Sequence, residues 1–449
     1  MAGLISIAGG GESGTGAAVL AKQKGYTVFL SDSGEIKDKY KEVLSNHGIE
    51  FEEGGHDLDR LIQADELIKS PGIPDKAPLV KMFREAGKPV IDEIEFAGRY
   101  TAGKTICITG SNGKTTTPML CYHMLKNGGL DVALAGNIGR SMAAQLAERD
   151  YAYWVLELSS FQLDGMYRFK ADIAILLNIT PDHLDRYNYQ LENYVASKFR
   201  ITQNQDEQCA FIYWCDDPII KKELSKTELK ARQFPFTTSL PENPETWLGA
   251  WQNENEIHIQ TINNYLTMSI HDLALQGKHN VFNSMASGIA GRILELRKEL
   301  VRDSLMNFDN IEHRLEFIAK VAGITFINDS KATNINSTWY ALESVEEPII
   351  WIAGGVDKGN DYSELFPLIE NRVKALICLG VDNEKLHKAF EGKISVIKDV
   401  MSADEAVKTA YDLGYKGDTV LLSPACASFD LFENYEDRGH QFKAAVKRL

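Results

Sequence analysis

Short, solid apolar runs punctuate the chain, among them Leu4 to Ala8, Tyr26 to Leu30, Thr105 to Thr109 and Trp154 to Leu158. Such runs suit strands buried on both faces, and the stretches between them carry helical spacing. Strands alternating with helices predict parallel sheets covered on both sides. The first unit runs from Leu4 to Ala8 through a glycine turn, a helix to about Lys24 and a strand ending in Ser31-Asp32. A further strand at Leu67-Ile68-Lys69 precedes the tight turn Ser70-Pro71-Gly72-Ile73-Pro74.

A glycine-bearing connection over 94–104 places the first domain boundary near 93. A second parallel sheet is expected beyond it, with strands at 105–109, 131–135, 153–158 and 171–179. From Thr246 to Ile270 the pattern shortens to alternating runs broken by Gln252-Asn253-Glu254-Asn255 and Asn263-Asn264, which predicts antiparallel hairpins at one side. A third sheet begins near 311, with strands expected at 323–328, 348–353, 374–379, 393–398 and 418–422. Neither low-complexity sequence nor a short tandem repeat is present.

Length agrees with this division. At 449 residues, a prior of about 150 per domain gives three cores. The chain is 44% hydrophobic and 25% charged, and no apolar run reaches the roughly 18 residues a membrane helix needs. The start, Met-Ala-Gly-Leu-Ile-Ser-Ile-Ala-Gly-Gly, lacks a basic leader and reads as a first strand, so a cytoplasmic protein without a membrane partner is expected. The six cysteines stand apart without CxxC pairs, so neither a zinc motif nor a disulfide framework is indicated. A net charge of −15 argues against nucleic acid as a partner. Any anionic substrate must then be met by local cations and helix N-termini. A monomer is the expectation.

Candidate chemistry concentrates at strand ends. In Thr105-Ile-Cys-Ile-Thr-Gly-Ser-Asn-Gly-Lys-Thr-Thr-Thr117, an apolar strand runs into Gly110, Ser111, Asn112, Gly113, Lys114, Thr115 and Thr116 ahead of a helix. Amides freed by the glycines point at phosphate oxygens, Lys114 adds a cation, and Thr115 offers an oxygen to magnesium. Ile108 stands where the strict nucleotide loop has its first glycine, so an ordinary glycine-rich turn is the structural alternative. In the first segment, Gly9-x-Gly11-x-x-Gly14 and Asp32 match a dinucleotide fingerprint. The same geometry accepts any diphosphate at a helix N-terminus, and the ligand class stays open on these residues alone.

Glu157 ends an apolar strand and can reach a magnesium ion, or can cap a helix. Asp182-His183 follows Thr180-Pro181 at another strand end, where a metal or phosphate role competes with a solvated turn. Lys198, by spacing alone, is a helical surface lysine. Asn280 and Asn283, three apart at a helix start, suit either purine recognition or helix capping. His313-Arg314 opens the third segment with a guanidinium that could grip phosphate or form a salt bridge. There, Asn328-Asp-Ser-Lys-Ala-Thr-Asn334, Gly354-Gly-Val-Asp-Lys-Gly359 and Ser423-Pro-Ala-Cys-Ala-Ser-Phe-Asp430 each follow a strand. Three such turns at one sheet edge favour a binding crevice.

Together with Gly136-Asn-Ile-Gly139, Leu156-Glu-Leu-Ser-Ser-Phe-Gln-Leu163, Asp182-His-Leu-Asp-Arg-Tyr187 and Leu422-Ser-Pro-Ala-Cys-Ala-Ser428, these stretches resemble the Mur ligases of bacterial cell-wall synthesis over nearly the whole chain. Within that family they are similar to the branch that adds D-glutamate. The Asp-Asn-Pro-Arg signature of diamino-acid addition is absent. The resemblance implies an α/β chain of three doubly wound domains: a Rossmann-like UDP-sugar domain (1–93), a P-loop ATPase-like central domain (94–310) and a Rossmann-like amino-acid domain (311–449).

It further implies an ATP-dependent ligase joining D-glutamate to UDP-N-acetylmuramoyl-L-alanine through an acyl phosphate, in peptidoglycan synthesis and hence in cell shape and division. Lys114, His183 and Lys198 would be catalytic. Two magnesium ions would be held by Thr115, Glu157, His183 and a carbamylated Lys198. Besides the phosphate loop, Asn280, Asn283, Arg314 and Asp329 would hold ATP. Lys331, Thr333, Lys358, Ser428 and Phe429 would seat D-glutamate. Ser13, Ser70, Gly72, Asn137, Ser159 and Gln162 would hold the UDP-sugar substrate. Gly34 departs from the arginine that other members carry near the uridine diphosphate. A folate polyglutamate-forming enzyme and a NAD-dependent regulator or oxidoreductase are the alternatives.

Overall fold

The computed structural model describes residues 3–138, 140–275, 277–308, 312–345 and 348–449. Gly139 of the Gly136–Gly139 stretch and the boundary expected near 311 lie outside the described residues. The chain forms two compact units, Met1–Phe308 and Asp309–Leu449. The first unit holds two sheets and the second holds one.

The first sheet comprises β1 (Leu4–Ala8), β2 (Thr27–Ser31), β3 (Glu50–Glu52), β4 (Glu66–Lys69) and β5 (Val90–Ile91). All pairings are parallel, in the order β3-β2-β1-β4-β5. Period-two alternation sends Ile5, Ile7, Val28 and Leu30 to one core and Ala8, Phe29 and Leu67 to the other. Helix Glu12–Gln23 supplies Ala17, Ala18 and Leu20 to the first core, and helix Pro78–Glu85 supplies Leu79, Val80 and Phe83 to the second. Strand order reverses between β1 and β4, so the turns after these two strands flank a crevice.

The second sheet comprises β6 (Lys104–Thr109), β7 (Val132–Gly136), β8 (Tyr153–Glu157), β9 (Ile173–Leu176), β10 (Ala210–Trp214), β11 (Arg232–Thr237), β12 (Gly249–Asn253), β13 (Glu256–Thr261) and β14 (Asn264–Ser269). Its order is β14-β13-β12-β11-β10-β9-β6-β8-β7. Strands β6 to β12 pair in parallel and β12 to β14 antiparallel, which are the hairpins expected within 246–270. Strands β10 and β11 extend the sheet beyond the sequence expectation. Pro235 argues against a central strand, yet β11 pairs with β12 only at Phe236 and Thr237, leaving the proline outside that ladder.

In the second unit, β15 (Glu316–Val321), β16 (Ile324–Asn328), β17 (Ile349–Ala353), β18 (Val373–Leu379), β19 (Val396–Val400) and β20 (Thr419–Leu422) order as β15-β16-β20-β17-β18-β19. Only β15 is antiparallel. Its alternation of half-buried and exposed positions, with Phe317 exposed, explains why no strand is predicted there. Apolar cores cover both faces of this sheet.

Candidate active site

The turn after β6 is the expected phosphate cradle. Gly113 has φ +81°, a conformation that disfavours side chains, and a Cβ there would meet Asn283 Oδ1 at 2.5 Å. Asn178, just past β9, fixes the turn from beside it: its Oδ1 accepts from Asn112 N at 2.8 Å and its Nδ2 donates to Asn112 O at 3.1 Å. Ser111 Oγ donates to Thr180 O at 2.8 Å and accepts from Thr180 N at 2.9 Å. Lys114 Nζ donates to Ser111 O at 2.6 Å, curling over its own turn. Thr115 begins helix Thr116–Asn127 without spending its hydroxyl on a capping bond, and Thr116 Oγ1 is buried without a hydrogen-bond partner among the described residues.

Asn280 and Asn283 sit inside helix Lys278–Ile293, whose start at Gly277 has no side-chain cap. Neither is the N-cap residue itself. Instead Asn283 Oδ1 accepts from Thr117 Oγ1 at 3.1 Å and its Nδ2 donates to Asn280 Oδ1 at 3.1 Å, joining this helix to the one that follows the cradle.

Beside the cradle, Glu157 ends β8 almost fully buried. Its Oε1 accepts from Asn137 Nδ2 at 2.8 Å, and its Oε2 has no hydrogen-bond partner among the described residues. A buried, unpaired carboxylate oxygen is costly unless something cationic faces it. The neighbouring amine is Lys198, 1% exposed, whose Nζ donates to Thr109 Oγ1 at 3.3 Å. The reading of Lys198 as a surface lysine is thus corrected: helix Leu191–Phe199 turns it inward with Tyr194 and Val195. Burial, followed by repulsion from Lys114, pushes its amine well below the usual lysine range, against the opposing charges of Asp182 and Glu157. The cradle, the end of β8 and the turn at 182 thus share one electrostatic field.

His183 sits on that turn with φ +52°. Its ring meets Phe161 edge-on at 5.2 Å, and its Nε2 lies 3.6 Å from Asp182. Ser159 and Gln162 form a reciprocal capping box at helix Ser160–Asp164, so each has a structural role beside any contact with a ligand. Arg186, which sequence reasoning left without a role, donates to Gly72 O at 3.2 Å and Pro71 O at 3.4 Å, with its guanidinium 4.3 Å from the centre of Phe161. It ties the turn after β4 to the turn carrying His183.

At the first sheet, Gly14 is required because a Cβ there would meet Gly9 O at 1.8 Å. Ser13 lies in the first turn of helix Glu12–Gln23, and Ser70 Oγ lies against Gly9. Asp32 has one oxygen on Gly10 N at 2.6 Å and the other on Gly34 N at 2.8 Å. It holds the glycine loop in shape, with each oxygen engaged by an amide.

In the second unit, three turns crowd the carboxyl edge of the sheet. Asp329 is buried, accepts from Ser423 Oγ at 3.0 Å and Leu315 N at 3.2 Å, and is pushed up to about 7 by burial, with Arg314 opposing. Lys331 Nζ donates to Tyr435 OH at 2.8 Å. Thr333 is half-buried, Lys358 exposed, Ser428 buried and Phe429 72% exposed. Beneath them lies Arg438, 1% exposed, donating to Ser330 Oγ and Ser330 O at 2.9 Å each and to Cys426 O at 3.3 Å. No sequence signal marks it, since an arginine in a C-terminal helix ordinarily faces water.

Three family descriptions match the chain: a MurD N-terminal domain over residues 5–78, a Mur ligase middle domain over 108–291 and a Mur ligase glutamate ligase domain over 313–426. The UDP-N-acetylmuramoylalanine--D-glutamate ligase of Bacteroides fragilis is 54% identical over 446 residues, covering 99% of both chains. The relative of that name from Christiangramia forsetii is 55% identical over the same coverage. The crystal structure of the MurF ligase from Thermotoga maritima in complex with ADP shares the fold, with TM-score 0.62 and 16% identity over 94% of this chain and 95% of that one. With curated relatives this similar along its whole length, the chain belongs to the Mur ligase family, in the branch of the UDP-N-acetylmuramoylalanine--D-glutamate ligases.

Proposed function

We propose that this chain joins D-glutamate to UDP-N-acetylmuramoyl-L-alanine at the expense of ATP, in cytoplasmic peptidoglycan precursor synthesis. The observation that carries the reading is Glu157 Oε2, buried and without a hydrogen-bond partner among the described residues, beside the phosphate cradle and Lys198. An amide cannot form from a carboxylate whose leaving group is oxide. The γ-phosphoryl of ATP therefore passes to the alanyl carboxylate oxygen, releasing ADP. The D-glutamate nitrogen then attacks the acyl carbon, phosphate leaves and the nitrogen loses a proton. Both steps crowd anions together, so fixed cations determine the rate.

Magnesium fits the donors present, since Glu157 offers a bare carboxylate oxygen and Thr115 an uncapped hydroxyl. When bound, it supplies positive charge against the repulsion between carboxylate and phosphate. Thr115, Glu157 and His183 are the residues for this role, and a carbamate on Lys198 would serve a second ion. Burial favours the neutral form of this amine, which is the nucleophile for carbon dioxide: the N–C bond forms, one proton leaves, and the side chain becomes an anion.

Lys114 and the amides of Gly110, Ser111, Asn112, Gly113, Thr115 and Thr116 hold the triphosphate, with Asn280 and Asn283 on the nucleotide side. Ser13, Ser70, Gly72, Asn137, Ser159 and Gln162 line the UDP-sugar path. In the second unit, Arg314 and Asp329 serve ATP, whereas Lys331, Thr333, Lys358, Ser428 and Phe429 receive D-glutamate. Functional divisions at 1–93, 94–310 and 311–449 follow the three sheets, and a monomer suffices.

ADP release measured with single amino acids, with and without UDP-N-acetylmuramoyl-L-alanine, tests the reading. Release should require both D-glutamate and that acceptor. Release that depends on a folate acceptor, or none with either, overturns it.

A further inference from the structure

The six cysteines stand far from any zinc-type spacing, yet the fold assembles such a site from three separate elements. Cys378 lies on β18 and Asp399 opposite it on β19, as direct partners in the parallel register. Neighbouring residues of a pair share one face of the sheet. Helix Glu384–Phe390 crosses that face, burying Leu386 and Phe390 in the core that contains Cys378 and placing His387 between the helix and the strand edge. The ligand atoms of Cys378, His387 and Asp399 all lie within 4.8 Å of one another. His387 Nε2 is 2.9 Å from Asp399 Oδ2.

We infer that Cys378, His387 and Asp399 form a binding site for one zinc-class divalent cation, with the fourth position open to water. A tetrahedral zinc ion with bonds of about 2.0–2.3 Å needs its ligands roughly 3.3–3.8 Å apart, which atoms held within 4.8 Å of one another reach by small side-chain shifts. Sulfur, imidazole and carboxylate together select zinc over magnesium, which prefers oxygen alone. Asn383 supplies the outer support: its Nδ2 donates to Asp399 Oδ1 at 3.0 Å and Gly380 O at 3.0 Å, fixing the carboxylate against the end of β18. Among the described residues, Asp399 has no lysine or arginine ion pair to compete with a metal. His387 and Asp399 are partly open to solvent, which gives an entry path, whereas Cys378 is fully buried and protected from oxidation.

Cys378 binds as a thiolate, so its proton leaves for solvent when the ion enters. The ion would clamp the edge strand β19 and helix Glu384–Phe390 to β18.

The test uses the full chain in saturating magnesium, titrated with cobalt(II) and then zinc. One cobalt per chain should bind with a thiolate-to-metal absorption band, and one equivalent of zinc should abolish that band. Cys378→Ser and His387→Gln should each weaken cobalt binding at least about tenfold, and Cys378→Ser should also lose the band. His387→Gln alters a half-exposed side chain and keeps the test decisive if the buried substitution fails to fold. Absence of the band in the wild-type chain, or an unchanged band and affinity in His387→Gln, overturns the inference.

Discussion

Asn137 Nδ2 donates to Glu157 Oε1 at 2.8 Å, leaving the buried Oε2 of the same carboxylate as the oxygen without a partner among the described residues. Asn137 thereby fixes which oxygen faces the proposed ion. Groups that orient a metal ligand typically cost about 10- to 100-fold in metal affinity when removed. Asn137→Ala should accordingly raise the magnesium concentration for half-maximal ADP release by about that factor. Because Asn137 is also proposed to touch the UDP-sugar, the discriminating measurement is magnesium dependence at saturating acceptor. An unchanged magnesium requirement there would remove the orienting role.

Lys198 is buried beside Thr109, and its amine is pushed well below the ordinary lysine range, chiefly by burial. A neutral amine is the form that accepts carbon dioxide, and protonation on acidification withdraws it. Activity should therefore fall on the acid side and in bicarbonate-free buffer, and recover when bicarbonate returns. Lys198→Ala should lower turnover by at least about a hundredfold, with partial rescue by short carboxylic acids. Mass spectrometry of the native chain checks the modification directly. Full activity in Lys198→Ala would discard the carbamate.

Arg186 bridges Pro71 and Gly72 to Phe161. Hydrogen bonds from a charged donor contribute about 1.5–3 kcal/mol. Arg186→Ala should loosen the turn after β4, raising KM for the UDP-sugar by about tenfold or more, with KM for ATP nearly unchanged. Equal shifts in both constants would point to general loosening of the unit instead.

What the sequence made legible is what local chemistry writes into consecutive residues. Gly110, Gly113 and Lys114 announce the cradle because their conformational and charge roles are local, and the apolar runs announce most strands of the three sheets. Roles created by long-range contact are invisible there. Arg186 meets residues 114 and 115 positions away, and Arg438 meets Ser330 108 positions away. Neither separation leaves a period or motif. Lys198 reads as a solvated helix face because its helix shows weak amphipathicity, and only the docked sheet buries it. Strand β11 hides behind Pro235, and β15 behind an edge too polar to resemble a buried strand.

Glu93 offers a pH signature independent of catalysis. It is buried, its Oε1 accepts from Ser141 Oγ at 2.8 Å, its Oε2 has no partner among the described residues, and burial pushes it from 4.5 to about 7. The folded chain therefore holds a proton that the unfolded chain has lost. Its stabilising contribution is complete below about 4.5 and declines as pH rises through about 7. One such proton changes stability by about 1.4 kcal/mol per pH unit within that window. Glu93→Gln should flatten the fall in denaturation midpoint between about pH 5 and 7. Parallel pH profiles for the two proteins would mean that Glu93 titrates normally.

Arg438 offers the sharpest separation of structure from chemistry in the second unit. Burial draws its guanidinium down to about 10, so it remains charged at neutral pH, and its planar fork spans Ser330 and Cys426, one from each of two turns proposed to receive D-glutamate, and reaches Gly354 O at 3.4 Å besides. A lysine keeps the charge but presents one ammonium where three nitrogens now donate, so it cannot hold both turns at once. Arg438→Lys should cost about 2–4 kcal/mol in denaturant unfolding. It should raise KM for D-glutamate at least about tenfold while KM for the UDP-sugar stays within about twofold. This asymmetry is expected because Arg438 donates to Ser330, Cys426 and Gly354, all turns of the second unit. A stable variant with an unchanged D-glutamate KM would show that the two turns do not need their shared anchor to receive the amino acid.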